Sequence, residues 1–222
     1  MPSVYLLRRN RQALLRSREA LCAHTSAQEG TWTCSGSSEH WRGALEALLT
    51  APPDLLICDL RLLDGPARAL LQRLPRPLPR VLLLTPMVDD PELFAALASG
   101  AHAYCLERDA VGLVKAVAGL QAQRACISPA LSRQLLHAFG MPRSELHQAH
   151  CVAACHDHRA TEAGLSVAQQ HLLSLFSHGL LDKEIAQRWQ LGVEEIGQRV
   201  GELYAALHRR SDHRRPVLSG AA

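Results

Sequence analysis

Six imidazole and thiol side chains, able to bind metal or move protons, crowd into "HQAHCVAACHDH": His147, His150, Cys151, Cys155, His156 and His158. If residues 145–156 are helical, His147, Cys151 and Cys155 share one face at four-residue spacing. Imidazole and thiolate so placed suit a soft or borderline ion such as Zn²⁺. The spacing matches no closed structural zinc motif, and haem or redox chemistry fits equally loosely. The plainer reading, a linker of drifted composition, is preferred. Cys22, Cys34, Cys58, Cys105 and Cys126 are scattered, mostly inside apolar runs, and the total of 7 is odd. That argues against a disulfide framework and for a reducing cytoplasm. No nucleophile–base pairing and no Gly-rich phosphate loop is visible, so an enzyme is not expected.

The elements that must position any site come next. The chain has 222 residues and is 47% hydrophobic, enough for one large domain or two small ones. Its formal charge is only +3, and Lys115 and Lys183 are its two lysines. The first half alternates short apolar runs with helical periodicity. Strands are predicted over 4–7, 31–34, 54–60, 81–84 and 102–106. Helices are predicted over 11–23, 38–49, 66–74, 91–98 and 110–122, with Asn10 capping the first and Ser37 or Ser38 the second. The run "DLLICDL" is apolar enough for a strand covered on both faces. Strand–helix alternation implies a parallel, doubly wound α/β sheet of the flavodoxin-like kind. Cys58 and Cys105 fall in strands and read as small buried residues. Trp32 and Trp41 are expected under the sheet.

Residues 125–163 read as a linker that holds one helix, 128–139, and the His/Cys cluster. From Leu165 the pattern is helical. Ser166 can cap 167–177, Asp182 can cap 183–190, and Leu191-Gly192 makes the turn into 193–210. Trp189 is the expected core anchor. Two helices joined by a short Gly-containing turn are a helix-turn-helix signal. Arg8, Arg9 and Arg11 cut the first apolar run, so no signal peptide is expected. No run approaches the ~18 apolar residues of a membrane span.

"LSVAQQHLLSLFSHGLLDKEIAQRWQLGVEEIGQRVGELYAAL" resembles the helix-turn-helix of the LuxR/NarL-type response regulators over 165–207. The first half resembles their receiver domain. The resemblance puts Asp59 at the phosphoacceptor position, Thr85 at the switch hydroxyl and Tyr104 at the switch aromatic. Its departures change sign. Arg8 and Arg9 stand where the family carries Mg²⁺-binding acids, and Glu107 stands where it has Lys. The loop "LRLLDG" is short and lacks the usual Pro. Two cations and two anions balance without a metal, so Mg²⁺ is not expected. Asp59 is expected to pair with Arg8 or Arg9, giving a pseudo-receiver that works without phosphorylation.

The helix-turn-helix departs too. Residues 164–222 hold seven basic and six acidic side chains, little for a DNA-binding module. Glu195, Gly197 and Gly201 replace positions that usually offer Thr and basic residues. Lys183, Gln198, Arg199, Arg209 and Arg210 remain as candidate contacts, each with a solvated helix face as its plainer reading. Gln198 could read an adenine edge. The organisation is therefore 1–124 receiver-like, 125–163 linker, 164–210 helix-turn-helix and 211–222 basic tail. The expected function is a cytoplasmic transcription regulator bound to double-stranded DNA. The alternative is a module that has lost DNA and sequesters a partner regulator or histidine kinase. No membrane partner is expected.

Overall fold

The computed structural model describes residues 1–25, 32–87, 89–106, 110–141 and 164–213. The chain divides into two compact units, Met1–Cys126 and Ile127–Ala222.

The first unit is built on a five-stranded parallel sheet. Its strands are β1 (Ser3–Leu7), β2 (Thr33–Ser38), β3 (Leu55–Asp59), β6 (Arg80–Thr85) and β7 (Ala103–Leu106), in spatial order β2-β1-β3-β6-β7. β4 (Arg61–Leu62) and β5 (Gly65–Pro66) form a small antiparallel hairpin in the loop after β3, which the sequence did not announce. The helices are α1 (Arg11–Thr25), α2 (Trp41–Thr50), α3 (Ala67–Leu71), α4 (Pro91–Ala98) and α5 (Ala110–Gln121). β3 is buried along its whole length, as a central strand with both faces covered must be. Edge strand β2 alternates exposed and half-buried, and it begins at Thr33 rather than at residue 31. Leu6, Ile57, Leu82 and Leu84 meet Leu113 and Val117 in one apolar cluster, with Trp32 and Cys105 packed against it.

Two helix starts show local chemistry in opposite ways. Asn10 Oδ1 accepts the Gln12 N–H at 2.7 Å, so α1 is capped as expected. α2 starts at Trp41, not at Ser38, and neither Ser37 nor Ser38 caps it. The Asp64 carboxylate reaches across from the hairpin and accepts the Trp41 and Arg42 N–H groups at 3.0 and 2.9 Å. Ser38 is occupied instead by the backbone of His40. Trp41 is buried, donates its indole N–H to the Asp64 carbonyl, and carries the Arg42 and Arg73 guanidinium groups over its ring.

The second unit begins before residue 164. α6 (Pro129–Ala138), expected inside the linker, is capped by Ser128 and packs on α7 (Val167–Ser177). Arg133 ties the two by donating to the Ser177 carbonyl at 2.8 Å. Leu131, Leu135 and Leu136 are buried, which is why this helix belongs to a core and not to a tether. Ser166 and Gln169 make a reciprocal capping box at the start of α7. α8 (Asp182–Trp189) takes Leu181 as its cap residue, so Asp182 is its first helical residue rather than its cap. Glu184 steadies that end by accepting the Leu181 N–H at 2.7 Å. The turn into α9 (Val193–His213) contains Leu191-Gly192 as expected and is opened by Gln190 at φ 57°. Trp189 is buried with Ile185, Ile196, Val200 and Tyr204, as its anchor role required. No helix among the described residues is long and apolar enough to cross a membrane.

Candidate functional site

In a parallel sheet of this order, chemistry gathers at the carboxyl ends of the strands, where β1 and β3 lead away to opposite sides. β1 and β3 run in register, Leu7 beside Cys58. The next residues are Arg8 and Asp59. The Arg8 Nε donates to Asp59 Oδ1 at 2.8 Å, and the two side chains are 4% and 5% exposed. The Arg9 backbone N–H donates to Asp59 Oδ2 at 2.8 Å, while the Arg9 side chain is exposed. Arg8 Nη1 also donates to the Ser17 hydroxyl of α1. Both carboxylate oxygens therefore hold a donor, and the guanidinium joins β1, β3 and α1. Ser17 was not anticipated. Its signal was available, since it sits between Ala13 and Leu21 on the inward stripe of α1.

The groups around this pair are committed as well. Cys58 is fully buried, and burial pushes its thiol well above the ordinary range, so it stays a neutral packing group. Thr85 is buried at the end of β6; its hydroxyl donates to the Met87 carbonyl at 2.8 Å and accepts the Met87 N–H at 3.3 Å. Tyr104 is buried on β7. Arg61 grips Asp90 with two hydrogen bonds, 3.0 and 2.7 Å, and Asp90 in turn caps α4. Arg68 pairs with Glu92 at 2.7 Å. These two pairs fasten α4 to the segment after β3 and were missed in the sequence, since nothing local announces partners that far apart.

On the helix-turn-helix, the candidate contacts separate. Lys183, Gln198 and Arg209 are exposed. Arg199 is not presented freely: its guanidinium lies 5.6 Å over the Trp189 ring and pairs with Glu195 at 3.1 Å, with 11% of the side chain exposed. Arg210 lies 5.2 Å over the Phe139 ring. Residues 164–213 carry five basic and six acidic side chains.

DevR/DosR, a DNA-binding transcriptional activator of Mycobacterium tuberculosis, is 30% identical over 170 residues, covering 74% of this chain and 71% of that protein. The chain belongs to the two-domain LuxR/NarL-type response regulators. RcsB of Salmonella enterica serovar Typhimurium, solved bound to promoter P1flhDC, matches 94% of this response regulator and 96% of its own chain, at 21% identity and a TM-score of 0.50. That likeness concerns the fold. No family model matches the chain. The family is one of transcription regulators and not of enzymes.

Receivers of this family imply a Mg²⁺ ion beside the phosphoacceptor, and the residues here do not fit one. The cation position beside Asp59 is taken by the Arg8 guanidinium, and Mg²⁺ needs oxygen ligands. Glu107, His147, Cys151 and Cys155 lie outside the described residues. Among the described residues, no group of three His, Cys, Asp or Glu side chains gathers that could hold a metal.

Proposed function

We propose that this response regulator controls transcription by binding double-stranded DNA through α8 and α9, and that its receiver unit is set without phosphorylation of Asp59. The observation that carries the second half is the buried Arg8–Asp59 pair. A carboxylate attacks phosphorus through a free oxygen lone pair. Here each oxygen already accepts a hydrogen bond, from the Arg8 guanidinium and the Arg9 N–H, and these lower the nucleophilicity of the lone pairs that remain. The guanidinium stays charged at any ordinary pH, so deprotonation does not release it from Asp59. The DNA-binding half is supported by the name of its 30%-identical relative, DevR/DosR, and by the exposed Lys183 and Gln198.

Incubation with a small phosphodonor and Mg²⁺, read by intact mass, is expected to leave the mass unchanged. A stoichiometric gain of one phosphate on Asp59 refutes the phosphorylation-independent reading. Gel shift with genomic fragments is expected to show specific binding at ~100–200 mM salt. The charge of 164–213 favours one second reading, a unit that binds a partner regulator or kinase instead of DNA; that reading requires no shift at any salt.

A further inference from the structure

Arginine is concentrated in two stretches of the first unit, and they are used oppositely. Between β3 and β6 every arginine is committed. Arg61 holds Asp90, Arg68 holds Glu92, Arg73 covers Trp41, and Arg76 and Arg80 donate to the Ser99 and Gln121 carbonyls. Arg9, Arg11, Arg16 and Arg18 are all exposed. Among the described residues, none of these four side chains makes an ion pair, a hydrogen bond or a ring contact. Glu19 is the one carboxylate of α1. Meanwhile Ala13, Ser17 and Leu21 face inward, and Arg8 anchors the helix through Ser17. At 100° per residue Arg16 projects about 140° away from Arg11, with Glu19 between them, whereas Arg11 and Arg18 lie about 20° apart and form one exposed cationic face.

We infer that this face of α1 binds the phosphodiester backbone of double-stranded DNA. The inference rests on the DNA-binding reading above and adds a second contact surface to it. Charge decides the ligand. Residues 164–213 hold one more acid than base, and Glu194 and Glu195 open α9, so the helix-turn-helix offers few phosphate contacts of its own. DNA affinity at physiological salt comes largely from neutralised phosphates, and α1 carries the exposed surplus of cations. Arg11 and Arg18 stand seven residues apart on the same flank, about 10 Å along the helix axis. Guanidinium is also the side chain best shaped to grip phosphate oxygens.

The test uses the full chain and a labelled mixed-sequence duplex, with affinity measured by anisotropy across a salt series. Each phosphate contact contributes about 0.9 to the slope of log K against log salt. The double variant Arg11→Gln/Arg18→Gln is expected to bind more weakly, with a slope shallower by about 1.8. Between ~50 and ~200 mM salt, wild type then loses about twelvefold more affinity than the variant. Glu19→Gln is expected to tighten binding. An unchanged slope in the double variant, with wild type still bound, overturns this inference alone. A wild type that binds no duplex at ~50 mM salt removes both this inference and the DNA-binding reading.

Discussion

The Arg8 guanidinium and the Asp59 carboxylate lie 2.8 Å apart at the carboxyl ends of β1 and β3, both almost fully buried. Taking two charges out of water is costly, and their attraction offsets that cost only when the remaining polar atoms are also satisfied. Here they are provided for: Arg9 N–H serves the second carboxylate oxygen, and Ser17 accepts from the far nitrogen. The pair therefore works as a rivet between the sheet and α1.

Arg8→Ala leaves Asp59 buried without its cation and is expected to cost about 3–5 kcal/mol. Replacing both partners by apolar residues, Arg8→Met with Asp59→Leu, is expected to cost much less than the two single changes added together. Urea unfolding of the four proteins measures the coupling. A coupling near zero would show that the pair is not a unit.

Asp64 caps α2 with two backbone hydrogen bonds from outside the helix. Asp64→Ala is expected to lower stability by about 1–2 kcal/mol, in line with the loss of other helix caps. Ser38→Ala is expected to cost less than about 0.5 kcal/mol, because Ser38 caps nothing. Thermal denaturation ranks the two.

The Arg61 hydrogen bonds hold the Asp90 carboxyl below the usual range. A carboxylate with a depressed folded-state pKa contributes stability above its unfolded value and loses it as pH falls through the folded one. The contribution is thus expected to be full at neutral pH and to fade on acidification from about pH 4 downward. Arg61→Ala is expected to flatten that part of the stability–pH curve. Comparing urea midpoints at neutral and acid pH checks it, and equal slopes in both proteins contradict it.

Gln198 and Arg199 are neighbours in sequence with opposite duties in the structure. Gln198→Ala is expected to relax base preference, by about 1–3 kcal/mol of discrimination, and to leave the melting temperature unchanged. Arg199→Ala is expected to lower the melting temperature first, since it uncovers Trp189 and frees Glu195. Binding-site selection and calorimetry on both variants separate the roles.

Much of this was legible in the residues themselves. Apolar runs such as Leu55–Asp59 and the helical spacing of Leu172, Ile185, Ile196 and Val200 are local patterns, and each needs only a buried face to be realised. A pairing of Asp59 with Arg8 or Arg9 was legible too, because the resemblance to receiver domains put those residues in one site. Which arginine meets Asp59, and with which atom, was not. That follows from the β1–β3 register, which puts Arg8 beside Asp59 and leaves Arg9 only its N–H for the site. The Asp64 cap, the Arg61–Asp90 grip and the stacking of Arg199 on Trp189 depend likewise on side chains brought together from separate elements or successive turns. α6 joined the second unit because Leu131 and Leu135 found apolar partners on α7, and burial belongs to a pair of surfaces rather than to either sequence alone. Local periodicity determined the elements; the register and packing of the folded chain decided which charges are spent inside it and which, on α1, remain for a partner.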